Sequence, residues 1–102
     1  MKETLITMLR KSMADMRNFK GKHPDRIALW RKGEYDYAFG DDAIKVGAIL
    51  GMPVETAIDR ETGEEYKYLS FSCYFLDTYL PKLVKAAVND AGGLNFKIAI
   101  LE

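Results

Sequence analysis

The chain has 102 residues, of which 48% are hydrophobic and 29% charged, a composition that fits one globular domain and excludes a disordered chain. Its 15 basic and 15 acidic residues give a net charge of zero at pH 7. No apolar run approaches the roughly 18 residues of a membrane helix, and the N-terminus lacks the apolar block of a signal peptide. We therefore expect a soluble, cytoplasmic protein without a membrane partner, in which the single Cys73 is a buried thiol rather than a nucleophile.

The charges are unevenly distributed along the chain. Residues 1–32 contain nine Lys or Arg and three acidic residues, a net charge of +6, whereas the remainder has a net charge of −6. A basic segment of this kind can present a stripe of positive charge to nucleic-acid phosphates. It can equally be the solvated face of a helix, and the sequence leaves both interpretations open.

The first predicted element is a helix over residues 3–19. Its apolar side chains recur at steps of three and four residues, which is typical of one buried helical face, while Lys and Arg occupy much of the other face. The apolar positions are Leu5, Met8, Leu9, Met13, Met16 and Phe19. We expect Gly21 to end this helix in the left-handed conformation, because Pro24 disfavours helix in the residue before it.

A β-hairpin and a second helix follow. Two short runs rich in aromatic and branched residues, 26–31 and 34–39, flank Lys32-Gly33 and predict the hairpin. Residues 40–52 then predict a helix. We expect the carboxylate of Asp41 or Asp42 to cap its start and Gly51 to end it.

The next predicted element is a hairpin with a longer loop, formed by residues 53–58 and 65–72. In the second run, Tyr and Ser at every second position alternate with Lys, Leu and Phe, which is typical of a strand. We expect the acidic residues in and beside the intervening loop to be solvated. They are Asp59, Glu61, Glu64 and Glu65.

A third helix and a last strand complete the chain. Residues 73–93 predict the helix, and Pro81 predicts either a kink or a helix proper that begins near Asp77. Its apolar stripe consists of Leu76, Tyr79, Leu80, Leu83, Val84, Ala87 and Val88, and Gly92-Gly93 are expected to close it. Residues 95–101 predict a strand. The order α-β-β-α-β-β-α-β predicts an α+β fold, with helices packed on one mixed or antiparallel sheet in a single domain over residues 1–102.

Three aromatic residues, Tyr35, Tyr37 and Phe39, alternate along the second predicted strand. Side chains two residues apart on a strand share a face of the sheet. These rings can therefore be ordinary core, or they can form an exposed platform on which a nucleic-acid base stacks.

The usual catalytic and cofactor motifs are absent from the sequence. Neither a glycine-rich phosphate-binding loop nor a Gly-x-Ser-x-Gly nucleophile motif occurs, and one His and one Cys cannot form a zinc site. Asp41 and Asp42 could bind magnesium, but a helix cap explains them more simply, and His23 fits a turn before Pro24. We therefore expect no catalytic residue, no metal and no cofactor, and hence not an enzyme.

The run "KGKHPDRIALWRKGEYDYAFGDDAIKVGAILGM" resembles the N-terminal domain, domain I, of the MutS DNA mismatch repair proteins. That family shows a helix, a His-Pro-Asp-like turn, an apolar strand, an Arg-x-Gly-Asp-Phe-Tyr-Glu-Leu-Phe hairpin and an Asp-Asp-Ala helix start. The matching residues are His23, Pro24, Asp25, Arg31, Gly33, Phe39, Asp41, Asp42 and Ala43. "DTYLPKLVKA" is similar to the family's third helix through Tyr79, Leu80, Lys82, Leu83 and Val84, and "FKIAILE" resembles its closing strand.

The resemblance implies a DNA-binding role of the mismatch-recognition type. In the family, the Phe of a Phe-x-Glu pair wedges beside the mismatched base and the Glu hydrogen-bonds to that base. Tyr35 stands at the position of the Phe and Tyr37 at that of the Glu, so the resemblance implies stacking by Tyr35 and a polar contact from Tyr37. Tyr74 stands where many relatives have His. The residues expected to meet phosphates are Arg31, Lys32, Arg10, Lys11 and Arg17.

The expected partner is DNA, mismatched or single-stranded. The family's connector, lever, clamp and ATPase domains have no counterpart in these 102 residues, so we expect a stand-alone module without ATPase activity. The alternative is a protein–protein interaction module that kept the fold and lost mismatch recognition. Its partners would be proteins of DNA repair or of a mobile element, or a second copy bound through an exposed Tyr or Met face.

Overall fold

The computed structural model describes residues 5–88 and 97–101. Within these residues the chain forms three helices and five strands, with a short 3-10 turn, Cys73–Phe75, before the last helix. In chain order they are α1 (Leu5–Lys22), β1 (Arg26–Lys32), β2 (Tyr35–Phe39), α2 (Asp41–Leu50), β3 (Glu55–Ile58), β4 (Glu65–Ser72), α3 (Leu76–Val88) and β5 (Lys97–Leu101). None of the helices in this part of the chain is long and apolar enough to span a membrane.

The five strands form one mixed sheet in the order β3-β4-β2-β1-β5. The pairs β1–β2, β2–β4 and β3–β4 are antiparallel, whereas β1 and β5 are parallel. This arrangement confirms the predicted α+β fold with a single mixed sheet. Parallel strands need a crossover connection between them. Here α3 carries the chain back across the sheet after β4, so that β5 can run parallel to β1.

The helices cover opposite faces of the sheet. Alternation along β2 turns Ala38 toward one face, where α2 and α3 pack in a core that also contains Ile27, Leu29, Val46, Leu69 and Leu83. Phe39 points to the other face, where it packs with Leu9 of α1 and Tyr66 of β4. Phe39 is fully buried, which confirms its predicted place in the core.

Glycines end two of the predicted elements as expected. Gly33 turns the β1–β2 hairpin with a φ of 63°, a left-handed conformation that is strained for residues with a Cβ. Gly51 ends α2 with a φ of 69°, and its backbone N–H donates to the carbonyl of Gly47. The preferences for glycine in hairpin turns and at helix C-termini therefore predict both positions correctly.

Two predicted helix caps are wrong. Gly21 lies inside α1, because the helix continues to Lys22 and the N–H of His23 still donates to the carbonyl of Phe19 at 2.8 Å. At the start of α2, the N-cap is Gly40 and no side chain caps the helix. Asp42 instead accepts the backbone N–H of Ala28 at 3.1 Å, so its carboxylate ties α2 to β1.

The third helix begins at Leu76, which confirms the prediction of a start near Asp77, and Pro81 lies inside it. Leu83 is fully buried in the core, but Val84 is nearly half exposed, so the predicted apolar stripe is too wide. Cys73 is only partly buried, contrary to expectation, because it sits in the 3-10 turn at the end of the sheet. The predicted closing glycines, 92 and 93, lie outside the described residues.

Candidate nucleic-acid interface

One end of the sheet face that carries α1 is left uncovered by that helix. Gly40 follows β2 at the end remote from the hairpin turn. A Cβ at Gly40 would lie 3.0 Å from the terminal methyl of Met16 in α1. α1 thus covers the far end of β2. Tyr35, at the hairpin end of the same face, keeps 50% of its surface exposed. We call the uncovered residues of this face the open end; they are Lys32, Tyr35, Tyr37, Ser70 and Ser72.

Tyr37 connects the open end to the core. Its ring stacks on Phe39, with centroids 5.7 Å apart and planes 8° from parallel. Partial burial, with the neighbouring phenols of Tyr68 and Tyr35, raises the pKa of the Tyr37 hydroxyl above its ordinary value. A phenol hydroxyl is protonated at neutral pH and can both donate and accept a hydrogen bond. Of the three aromatic residues, Phe39 is buried in the core, Tyr37 is partly buried and Tyr35 is exposed.

Lys32 is the basic residue placed with Tyr35. The two are directly opposite each other across the hairpin, and alternation along β1 places Lys32 on the same face. Lys11 is exposed on α1. These two predicted phosphate contacts thus remain available on or beside the α1 side of the sheet.

Arg31, also expected to meet phosphates, lies on the opposite face of the sheet from Tyr35. It is directly opposite Asp36, and its guanidinium donates to that carboxylate at 2.8 Å from Nε and 3.2 Å from Nη2. Asp36 is fully buried, so this ion pair neutralises a charge inside the protein. Lys32 and Tyr35 flank the two-residue turn and pair with each other, so Arg31, one position before Lys32, points to the other face.

Arg10 and Arg17 also contact acidic residues rather than standing free for phosphates. Arg10 binds Asp59 through Nη2 at 2.7 Å and Nε at 3.0 Å, and Arg17 lies 4.0 Å from Glu64. Hydrogen bonding to Asp59 raises the pKa of Arg10, and hydrogen bonding from Arg10 lowers the pKa of Asp59. Asp59 is almost fully buried, so the prediction that it is solvated is wrong.

The uneven charge distribution has a structural explanation. Within residues 5–88 and 97–101, each of the three buried carboxylates meets a basic side chain from residues 1–32. The pairs are Asp36 with Arg31, Asp42 with Lys20 and Asp59 with Arg10. Three of the nine basic residues in this segment therefore neutralise acids within the fold. The sequence could not show this, because Arg10 and Asp59 are 49 residues apart.

Two serines that the sequence analysis did not single out, Ser70 and Ser72, lie on the open end. Ser70 is directly opposite Tyr37, and Ser72 is directly opposite Tyr35, across the β2–β4 pair. The alternating Tyr and Ser pattern of β4 was visible in the sequence. The register that places Ser70 and Ser72 beside β2 was not. The open end thus presents four hydroxyl groups and one ammonium group.

Comparison with known proteins identifies the domain. The family model for MutS domain I matches residues 11–90. A DNA mismatch repair protein MutS from Parabacteroides distasonis is 38% identical over 86 residues, covering 84% of this chain and 9% of that protein. The MutS of Phocaeicola vulgatus is 38% identical with 82% of this chain covered, and that of Cytophaga hutchinsonii is 38% identical with 71% covered.

The chain spans less than a tenth of the length of these relatives, 8% to 9% of each. The matched residues, 11–90, run from within α1 to beyond the end of α3. They include all residues of the open end and most of the core. The family match and the mixed sheet with three helices agree on both sequence and fold. The chain belongs to the MutS domain I family and is a module related to DNA mismatch repair.

Proposed function

We propose that this domain binds DNA, mismatched or single-stranded, through the open end of the sheet, with Tyr35 as the stacking residue. The observation that carries the proposal is the exposure of Tyr35, which leaves half of its surface in solvent on the face that α1 does not cover. Its position matches that of the base-contacting aromatic residue implied by the family resemblance. The relatives named as DNA mismatch repair proteins support the same partner.

Tyr35 is suited to stacking on a base that has left the duplex. Stacking of a base on an exposed aromatic side chain contributes about 1–3 kcal/mol. Tyr35 lies on a strand paired on both sides, so its backbone is held in place before binding. Its hydroxyl makes deep insertion between stacked bases less favourable than it is for Phe, because a polar group would be desolvated.

Phosphate contacts are proposed for Lys32 and Lys11 rather than for the arginines. Lys32 lies beside Tyr35, whereas Arg10 and Arg31 form ion pairs with buried carboxylates. Recruiting either arginine to DNA would leave a buried carboxylate unpaired, which is costly. We expect few phosphate contacts and hence weak binding that falls with salt.

A non-enzymatic role in the cytoplasm, as a stand-alone module without ATPase activity, stays a prediction of the sequence. Our proposal concerns only DNA binding by this domain. More than nine-tenths of the length of the full-length relatives has no match in this chain.

Fluorescence anisotropy tests the proposal with labelled duplexes, matched and singly mismatched, and with a single strand, all at low salt. Tyr35→Ala should weaken binding of mismatched or single-stranded DNA by about 5- to 150-fold, the loss of about 1–3 kcal/mol of stacking. Tyr35→Phe should retain binding because the ring remains. Tyr74→Ala, which removes another exposed tyrosine beyond the end of β4, is the matched control. Absence of binding at tens of micromolar, or equal binding by Tyr35→Ala, contradicts the proposal.

A protein–protein interaction module is the second candidate. The observation in its favour is that Arg10, Arg17 and Arg31 pair with acids of the same chain, which reduces the positive charge available to DNA. Pull-down from nuclease-treated extract, followed by protein and nucleic-acid analysis of the eluate, separates the two candidates. Specific proteins without DNA would support the second, and monomeric elution at high concentration would contradict its homodimer variant.

A further inference from the structure

A groove lies between α1 and the edge of the sheet where β1 pairs with β5. Side chains in the second half of α1 and just after it line one side, and β1 and β5 line the other. Its volume of about 320 Å³ falls within the range of small-molecule sites. We call it the α1 groove; its residues are Asp15, Asn18, Phe19, Lys22, His23, Trp30 and Leu101. No residue of the open end is among them, so the α1 groove is a separate site.

Three rings form the wall of the α1 groove on which a ligand can pack. The ring centroid of Phe19 lies 4.9 Å from that of His23 and 6.0 Å from that of Trp30. The contact with Trp30 is edge to face, with the planes 79° apart. These contacts hold the rings in place before a ligand arrives, which lowers the entropic cost of binding. Rings fixed in this way favour a flat aromatic ligand.

The polar side chains of the groove follow one face of α1 in a fixed order. Asp15, Asn18 and Lys22 are spaced by three and four residues, so they lie one after another along the helix. At a rise of about 1.5 Å per residue, about 10 Å of helix separates Asp15 from Lys22. All three side chains are exposed, so a ligand can reach them. The groove therefore offers a carboxylate at one end, an amide in the middle and an ammonium group at the other end.

This order of groups matches a nucleotide, whose phosphate lies at the opposite end from the Watson–Crick edge of its base. The ammonium group of Lys22 suits the phosphate. The ionised carboxylate of Asp15 can only accept hydrogen bonds, and it does so through two oxygens. Guanine is the one common base with two adjacent donors on that edge, N1–H and N2–H. Its neighbouring O6 can accept a hydrogen bond from the amide of Asn18.

The charges of the groove disfavour an alkylammonium ligand. Rings beside a carboxylate also suit a quaternary ammonium group, which is attracted to ring faces. Lys22, however, brings a positive charge into the groove and would repel such a ligand. A ligand with a negative group at one end and hydrogen-bond donors at the other is complementary to both charged residues.

We propose that the α1 groove binds a guanine nucleotide. Asp15 and Asn18 contact the Watson–Crick edge of the base, and Lys22 contacts the phosphate. Phe19 and Trp30 pack against the base. This site goes beyond the proposed function, because it lies outside the open end and its occupation does not require DNA. A free nucleotide and an unpaired guanine in a nucleic-acid strand present the same groups to it.

Trp30 provides a direct readout, because it is the single tryptophan of the chain and lines the groove. Titration with guanosine monophosphate (GMP) should change its fluorescence, and calorimetry should give the affinity independently of light absorption by the nucleotide. GMP should bind about 10- to 150-fold more tightly than adenosine monophosphate (AMP), the effect of a hydrogen bond to a charged acceptor. Absence of any fluorescence change or heat with GMP up to about 1 mM overturns the inference, as does equal affinity for GMP and AMP.

Removal of the carboxylate tests the contact with the base. Asp15→Asn should weaken GMP binding by about 10-fold or more and change AMP binding by less than about threefold, so that the preference for guanine is lost. Glu55→Gln makes the same acid-to-amide change at an exposed residue of β3, and it should alter neither affinity. Circular dichroism melting of both variants shows whether the fold is retained. Unchanged GMP affinity in a folded Asp15→Asn variant contradicts the inference.

Removal of the ammonium group tests the contact with the phosphate. Lys22→Ala should weaken GMP binding by about 3- to 10-fold and leave guanosine binding unchanged, because guanosine has no phosphate. Lys85→Ala, on α3, is the matched control. Equal losses for GMP and guanosine would refute the phosphate contact. Binding of choline that depends on Asp15, without binding of GMP, would assign the groove to alkylammonium ligands instead.

Two short DNA strands identify the source of the nucleotide, one of thymidines with a central guanosine and one of thymidines alone. Tighter binding of the guanosine-containing strand than of GMP, lost in Asp15→Asn, indicates a nucleic-acid strand as the ligand. Binding of GMP without a further gain from the strand indicates a free nucleotide. Titration with GMP involves no DNA, so its failure overturns this inference and leaves the proposed function standing. Failure of DNA binding through Tyr35 leaves the result with GMP equally intact.

Discussion

Arg31 and Asp36 face each other across the β1–β2 hairpin and form two hydrogen bonds on the side of the sheet opposite to Tyr35. The pair lies directly behind the hairpin end of the proposed interface. It therefore contributes to the position of Tyr35 without touching the ligand. The first prediction therefore concerns the stability that the ion pair between Arg31 and Asp36 gives to the domain.

Arg31→Ala should destabilise the domain by about 2–3 kcal/mol, because it leaves the buried Asp36 carboxylate without its cation. Loss of one partner of a fully buried pair costs about 3–5 kcal/mol, and the partial exposure of Arg31 lowers that figure. Urea unfolding followed through the fluorescence of Trp30, the single tryptophan, measures the change. The double variant Arg31→Met/Asp36→Leu should recover most of the loss, since both residues then join the apolar core. Equal stability of Arg31→Ala and wild type would contradict the prediction.

Gly47→Ala should destabilise the domain by about 1–3 kcal/mol, the usual cost of overpacking. A Cβ at this position would lie 2.8 Å from the carbonyl oxygen of Met52 and 3.0 Å from Val54 Cγ2. Gly21→Ala is the matched control, because Gly21 is also helical but a Cβ there meets nothing within 4 Å. That change should stabilise by about 0.5 kcal/mol through helix propensity. Thermal and urea unfolding should show opposite signs for the two variants.

The contact between Asp59 and Arg10 should make stability depend on pH in the acid range. Hydrogen bonding from Arg10 lowers the pKa of Asp59, so folding favours its ionised form. The contribution is fully present above the ordinary aspartate pKa of about 3.9 and is lost as the pH falls from there through the lower pKa of the folded state. Melting temperatures measured from pH 7 to pH 2.5 should fall less steeply for Asp59→Asn than for wild type. Glu64→Gln, at an exposed residue, should follow the wild-type curve, and parallel curves for all three proteins would refute the assignment.

Lys32→Ala should weaken DNA binding equally for all sequences and reduce the slope of log K against log salt by about 0.9, the value for one phosphate contact. Lys85→Ala, on the helix that covers the other face, should leave the slope unchanged. Arg10→Ala should also leave it unchanged, because Arg10 is bound to Asp59. Anisotropy titrations at four salt concentrations provide the slopes. A larger slope change for Arg10→Ala than for Lys32→Ala would show that the ion pair opens on DNA.

Local patterns in the sequence predicted most of the fold. The spacing of apolar residues found the three helices, and the aromatic runs around Gly33 found the hairpin that carries Tyr35. These features depend on residues within a few positions of one another. The two wrong caps show the limit of such reasoning, because Asp42 is drawn from the helix start to the N–H of Ala28 on another element.

The candidate site was predicted only in part. The hairpin that carries Tyr35 and Lys32 was predicted from the sequence, whereas the position of Ser70 and Ser72 beside it depends on the register between β2 and β4. The partners of the arginines depend on contacts between distant parts of the chain, which charge counting along the sequence does not reveal. The sequence therefore identified the hairpin but not the ion pairs that Arg10 and Arg31 form.

The parallel pairing of β1 with β5 affects how the chain can be made. β1 carries the buried residues Ile27 and Leu29, and one of its edges is paired with residues 97–101. During synthesis on a ribosome that edge stays unpaired until the last of these residues has emerged. An apolar strand with an open edge is a template for pairing with other chains. Arrival of β5 therefore marks the point at which the newly made domain is protected from aggregation through β1.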